Sequence, residues 1–355
     1  VELIESPAER MDLARRNLLA GKHAKAATAY QIAASYLQRG MELLGDTHWD
    51  SDYELCFGIW VERAESEYLS GSLAEADALF GTLRQRARSR LHSEHLCSLH
   101  MKLLMALGKF AEAMHEGLET LALFGVDLRG STEEQQRAID WETQELKRNM
   151  ADLQLEDLVN APLTTDPDHL ARARLMTNVV LDAYFVSPVM FARFSMRQIN
   201  LGLQFGFTEY SSFSYICWAY TLASFGDYAG SYRNSCLALA FNEKARNAAL
   251  SCKINLNFGC LLHFSRPIRE AIPYYDTAIR DGIHTGDLTF TSWAAVYRAL
   301  DKYTMGQDLP TLHEEIRVGL NIVKRNKDLL QTLILTFTQQ RVLRIIHGPV
   351  VPPGR

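Results

Sequence analysis

The chain has 355 residues (40.2 kDa), of which 47% are hydrophobic and 22% charged, the balance of a core-forming protein rather than a disordered one. A net charge of −5 and a pI near 6.1 give no electrostatic case for nucleic acid or an anionic membrane as partner. No apolar run approaches the roughly 18 residues of a bilayer span. The opening Val1-Glu-Leu-Ile-Glu-Ser6 lacks the basic and apolar regions of a signal peptide, and the missing initiator Met is expected of an excised piece of something longer.

Strand signals are nearly absent. Apolar residues recur at three and four, as in Phe57, Val61, Ala64 and Tyr68, and the prolines sit mostly at breaks. The chain therefore reads as all-α. In chain order, hairpin turns are predicted at Gly21-Lys-His23, Gly71-Ser-Leu73, Gly108-Lys-Phe110, Gly226-Asp-Tyr228, Arg266-Pro-Ile268 and Gly306-Gln-Asp308, the last three at a period of forty. An inserted loop at Gly45–Asp50 lengthens the first interval. Seven residues before each turn stand Ala14, Ala64, Met101, Ala219, Gly259 and Ala299; five after stand Ala26, Ala76, Ala113, Ser231, Ala271 and Thr311. Only Met101 and Thr311 break the two columns of small residues, which is the arithmetic of tetratricopeptide-type helical hairpins whose two helices cross closely. Trp60, Tyr30, Phe80, Tyr215 and Tyr275 supply bulky partners.

The long interval after Gly108 is expected to hold one or two degenerate hairpins. It contains a polar helix capped at Ser131 or Thr132, with Glu133, Glu134 and Gln135 in its first turn. A linker Ala161–Pro167 follows, with Asp166 or Asp168 starting the next helix. Helices over about Leu312–Asn326 and Lys327–Ile346 would close the array. The expected organisation is N-terminal repeats over 1–130, an inserted helix and linker over 131–165, C-terminal repeats and closing helices over 166–346, and a tail over 347–355.

The chemistry-bearing residues form no recognised catalytic set. Gly21-Lys22 and Gly108-Lys109 are followed by His23 and Phe110, not by the Ser or Thr of a phosphate-binding loop. His115-Glu116 and His313-Glu314 lack the second His of a zinc-protease helix. His92, His95, Cys97 and His100 share a helix and read as a surface histidine group in preference to a zinc site. The run Arg84–Arg90 reads as a helix C-terminus favoured by the dipole, with phosphate binding as the other reading. The six cysteines make no C-x-x-C pair and read as reduced, mostly buried thiols of a cytoplasmic protein. No metal, cofactor or catalytic residue is expected.

Certain residues carry a closer likeness. Ala24–Tyr30, Tyr53-Glu-Leu55, Ala64–Tyr68 with Gly71, Arg266–Ala271 and Thr285–Phe290 followed by Gly306 and Leu309 are involved. Over about Ala14–Leu312 the chain resembles the tetratricopeptide-like repeat segment of large multidomain signalling proteins. In these, a serine/threonine-kinase-like domain and an AAA-type ATPase precede the repeats, and GAF and histidine-kinase domains often follow. The resemblance implies a non-enzymatic scaffold or sensor module for protein–protein or interdomain contact, and it supplies no catalytic residues. Arg266 departs from the glycine usual at such turns.

Fourteen aromatics lie between Tyr184 and Tyr232, well above the 10% of the whole chain. Counted on the small-residue register, the first helices of the hairpins direct Phe213, Ile216 and Tyr220, then Lys253, Leu256 and His263, then Trp293, Val296 and Tyr303 toward one face. Two readings stand: an apolar groove seating a peptide or a small flat ligand, and a face that packs on itself.

Overall fold

The structure, a computed structural model, describes residues 6–45, 48–150, 153, 155–326 and 328–348. The described residues contain eighteen α-helices and no strand. In chain order these are α1 Pro7–Ala26, α2 Tyr30–Leu44, α3 His48–Ser51, α4 Tyr53–Ser70, α5 Leu73–Arg86, α6 Arg90–Ala106, α7 Phe110–Ala122, α8 Thr132–Met150 and α9 Leu155–Asn160, followed by α10 Pro167–Val186, α11 Pro188–Phe205, α12 Ser211–Ser224, α13 Tyr228–Ala245, α14 Ala248–Leu262, α15 Ile272–Thr285, α16 Leu288–Thr304, α17 Leu309–Arg325 and α18 Leu329–His347. They fall into two compact units, Val1–Gly130 with Leu170–Pro188, and Ser131–His169 with Val189–Arg355.

The first unit stacks the hairpins α1/α2, α4/α5 and α6/α7, with α1 and α2 against α4, and α4 and α5 against α6. Its hydrophobic core runs through Ala14, Leu37, Ile59, Ala64, Phe80, Leu83 and Leu103. The insertion between α2 and α4 is held by a buried Trp49 on α3, whose ring lies 5.6 Å from that of Trp60 and under the Arg86 guanidinium at 4.9 Å. The second unit stacks α12/α13, α14/α15 and α16/α17, then α18, and successive first helices touch: α12 with α14, α14 with α16, α16 with α18. Within each unit this is the all-α, tetratricopeptide-like hairpin architecture expected from the repeat columns.

One backbone bond recurs at the hairpin turns, as it does at other helix ends such as Asp287 to Gly282. The amide following the turn residue donates to a carbonyl five residues back: Ser72 to Glu67, Lys109 to Leu104, Asp227 to Leu222 and Gln307 to Lys302. It closes a helix whose last residue is left-handed, the conformation of Gly71, Gly108, Gly226 and Gly306. The same bond runs from Ala29 to Ala24 around Thr28, at φ 59°. The first turn is therefore at Thr28 and not at Gly21, through which α1 continues without a break. Counting from Thr28 replaces Ala14 and Ala26 in the two columns by Gly21 and Ala33, both buried, whereas Ala26 is exposed. At Arg266 the bond is chemically impossible because Pro267 has no N–H. The chain enters its second helix there through a 3-10 turn, Ile268–Ala271.

The departure at Thr311 has an equally local cause. Gln307 is an extra residue between the turn and the Asp308 cap, so Thr311 is exposed and Leu312 takes the buried slot. Elsewhere the expected caps form. Ser131 accepts from the Glu134 amide at 3.3 Å while Glu134 accepts from the Ser131 amide at 2.7 Å. Asp166 accepts from the amides of Asp168 and His169. In the 161–167 segment, Thr164 donates to the Phe207 carbonyl at 2.7 Å, and Lys244 donates to the carbonyls of Val159 and Ala161.

Candidate functional site

The residues expected on the shared face of α12, α14 and α16 divide into three environments. Phe213, 1% exposed, lies in the core with Ile216, Leu256 and Val296, so these four offer a ligand no surface. They bury the contacts between successive first helices. The apolar floor expected of a groove is thus packing between repeats, and Phe213 leaves the list of surface candidates.

A second group sits near the N-terminal ends of α14 and α16. The Lys253 ammonium is 3.7 Å from Asp287 and 5.1 Å from the centre of the Phe290 ring, and Phe290 lies 5.1 Å from the partly exposed Trp293. Asp287 is also the cap of α16, accepting from the Phe290 amide. Its carboxylate therefore serves the positive helix end and the ammonium together. A cation over an aromatic face flanked by an indole is a suitable seat for an acidic or aromatic segment.

The third group, in the C-terminal halves of the same helices, is built on a polar string that sequence reasoning missed. The Tyr275 hydroxyl on α15 donates to Asp301 Oδ2 on α16 at 3.0 Å and lies 3.9 Å from the Cys260 sulfur on α14. Tyr220 of α12 also hydrogen-bonds Cys260, and His263, which caps the C-terminus of α14, is close enough to act on Asp301. Burial pushes the Asp301 carboxyl up, while the Tyr275 bond and the His263 charge pull it back. Burial pushes the Cys260 thiol up to about 12, which leaves it protonated and a poor nucleophile at neutral pH. Chemically the string is a lock between three helices, not an acid–base pair. Its rim is open: His263 is exposed, its ring 4.2 Å from that of Phe264, and Phe264 stacks on Tyr228 at 5.1 Å, with Phe225 also exposed at the neighbouring turn. The sequence signal for this edge is that Phe225 and Tyr228 flank one turn and Phe264 precedes the next. Tyr303, partly exposed, packs instead on the core shared by α16, α17 and α18.

His92, His100 and the arginines Arg84, Arg86 and Arg88 of the first unit are committed to internal contacts. His92 stacks on Phe57 at 4.3 Å and bonds the Tyr53 hydroxyl. His100 is buried between Glu116 and Asp77, so the expected surface histidine group does not extend to it. Arg84 pairs with Glu116 at 3.1 Å, Arg86 covers Trp49 and Arg88 covers Tyr53. A polar cleft of about 500 Å³ between α2 and α4 is lined by Gln31, Gln38, Arg39, Glu42, Arg63 and Glu67 among others. Its Arg63 is already paired with Glu75 and Glu67. Among the described residues no group of three or more His, Cys, Asp or Glu is placed to hold a metal ion, and no helix is long and apolar enough to cross a membrane.

No protein-family model matches the chain. Among curated proteins it is similar to "Hybrid signal transduction histidine kinase G" of Dictyostelium discoideum, at 21% identity over 382 aligned residues, which take in 99% of this chain and 11% of that protein. The chain thus spans about a tenth of that relative's length. Solved structures similar to it include the Signal Transduction ATPase with Numerous Domains (STAND) protein with a tetratricopeptide repeat sensor from Pyrococcus horikoshii. That match has a TM-score of 0.34 and 12% identity, and covers 96% of this chain and 56% of that one. Yeast Tom70 is also similar, with a TM-score of 0.25 and 11% identity over 95% and 97% of the two chains.

Proposed function

We propose that this chain is a non-enzymatic helical-repeat module that binds a protein segment, in the cytoplasm, as part of a kinase- or ATPase-containing signal-transduction protein. The observation that carries the binding role is recurrence. Side chains left at least partly exposed stand at matching positions of successive hairpins, Lys253 with Trp293 and His263 with Tyr303. A peptide running across the hairpins would meet the cation–aromatic group first and the His263, Phe264 and Tyr228 edge second. The signalling context is supported by the likeness of nearly the whole chain to the hybrid signal transduction histidine kinase of Dictyostelium discoideum. Six unpaired cysteines suit a reducing compartment.

The test is titration calorimetry of the chain against neighbouring domains of its parent polypeptide, with wild type compared with His263→Ala/Trp293→Ala. Because His263 and Trp293 also touch Phe264 and Phe290, a thermal melt first establishes that the variant is folded. The expected result is an affinity loss of about tenfold or more, about 1.4 kcal/mol. Unchanged binding by a folded variant would remove this face from the interaction. Binding by none of the domains would count against the interdomain role.

A further inference from the structure

Helix α8 of the second unit is stabilised by local devices more than by burial. The Ser131–Glu134 capping box closes its start, Glu133 and Glu134 stand in its first turn, and Lys147 and Arg148 stand in its last. Arg148 also pairs with Glu145 one turn back. All of these act within the helix, whether or not it is packed on anything. Of its nineteen residues Gln135, Glu142 and Leu146 are buried, and of these three Leu146 alone is apolar. In the same unit α14, of fifteen residues, buries nine, Leu250, Ile254, Leu256 and Phe258 among them.

The contacts that α8 makes with α11 are polar. Gln135, Glu142 and Asn149 recur every seven residues, two turns apart, and so lie along one stripe. Gln135 accepts from the Arg193 guanidinium. Asn200 Nδ2 donates to Glu142 Oε2 at 2.7 Å and to the Glu142 carbonyl at 3.0 Å, while Arg197 Nε stands 3.6 Å from Glu142 Oε1. Asn149 donates to Asn200 Oδ1 at 3.2 Å. Beside the stripe, the Thr143 hydroxyl meets the Met196 sulfur at 3.4 Å, and the Arg197 guanidinium lies 5.7 Å from the ring of Trp141, itself 45% exposed. Further along, α9 is fastened to α13: Lys244 donates to the carbonyls of Val159 and Ala161. Each polar contact of α8 can be remade with water when the helix leaves, so it adds little net hold. It does discriminate between helices that can and cannot make it.

We propose that α8 is an exchangeable internal ligand, and that the α11 face it covers is a docking surface for an acidic amphipathic helix. The contacts define the recognition. Arg193, Arg197 and Asn200 select a helix that carries an amide, a carboxylate and a second amide at two-turn spacing. A leucine one turn after the carboxylate, as Leu146 follows Glu142, is the apolar anchor. In this chain α8 fills the surface, and a helix of the same chemistry displaces it, leaving α8 tethered through α9. The surface lies on a different helix from Lys253, His263 and Trp293, so the inference does not depend on the binding role proposed above.

Fluorescence anisotropy with a labelled peptide of residues 131–150 tests it. Because α8 is tethered beside its own site, it must be weakened before a free peptide can compete. Leu146→Asp removes its one buried apolar side chain and leaves α11 unaltered. The peptide is expected to bind the Leu146→Asp chain at least tenfold more tightly than the wild-type chain. Arg197→Glu added to that chain, or Glu142→Lys in the peptide, should abolish binding. Hydrogen exchange of the wild-type chain is the second measurement: the α8 amides should exchange at least tenfold faster than those of α14, through an opening that leaves α14 protected. No binding by a folded Leu146→Asp chain overturns the proposal, and so does equal binding by both chains. Should Leu146→Asp fail to fold, the exchange decides, since α8 amides that open only together with α14 make α8 a fixed part of the core.

Discussion

A Cβ placed on Gly259 would stand 2.6 Å from Cε1 of Tyr275, sixteen residues further along the same hairpin. The Gly21–Leu37 pair repeats the relationship at the same spacing and the same distance, and Met101 with Gly117 reverses the sizes. In these three hairpins a glycine on one helix faces a larger side chain on the other, and either helix can supply the glycine. Gly259→Ala is expected to destabilise the second unit by about 1–3 kcal/mol, the usual cost of overfilling a packed contact. Tyr275→Leu in the same chain should restore part of that loss, although it gives up the bond to Asp301. Thermal melts of the two single variants and the double variant measure the coupling; simple additivity would show that the two side chains do not compete for the same space.

This crossing also shows how far the sequence could be read. The forty-residue period was legible because Ala219, Gly259 and Ala299 recur at one offset from a turn, and the all-α architecture followed. The first hairpin was misplaced by seven residues because glycine has two uses that look identical in a sequence. At Gly108 and Gly226 it supplies a left-handed turn, whereas at Gly21 it lets α1 approach Leu37, and the turn itself is made by Thr28. The face of α12, α14 and α16 was legible only in outline. Periodicity selects the side of a helix but not whether another helix already covers it, so Phe213 was grouped with Trp293. The Tyr275–Asp301 bond joins residues 26 apart on different helices, and no local pattern announces it.

In the first unit, Glu94 is fully buried on α6 and is gripped by Arg174 of α10, with Nε donating to Oε1 at 2.9 Å and Nη2 to Oε2. Ser98 donates to the same Oε1 at 2.7 Å, and Asn178 donates to Ser98. Removing the guanidinium leaves a buried carboxylate with one hydroxyl for company, and breaking a buried pair in this way costs about 3–5 kcal/mol. Arg174→Ala is therefore expected to be among the most damaging single changes in this unit. Adding Glu94→Gln to it should recover stability, since the amide carries no charge to strand. Denaturant melts of the single and double variants decide the matter. If the second change brings no recovery, the loss comes from packing and not from charge.

His100 is held by a carboxylate at each ring nitrogen: Nδ1 donates to Glu116 Oε2 at 2.7 Å and Nε2 to Asp77 Oδ1 at 2.8 Å, so the ring is protonated at both. Burial opposes that charge, but the bonds to Glu116 and Asp77 and their charges outweigh it and hold the imidazolium above its ordinary pKa. In the unfolded chain the value returns to about 6.5. Between the two values the folded protein binds a proton that the unfolded chain does not. The contribution is thus whole below about pH 6.5 and drains away as pH rises through the raised folded value. His100→Gln keeps Glu116 paired with Arg84 at 3.1 Å and should fold. Its melting temperature is expected to fall furthest below wild type at acidic to neutral pH, with the two curves converging as the solution is made alkaline. A gap that stays constant or widens with rising pH would mean that His100 is neutral in the fold and holds its two carboxylates in some other way.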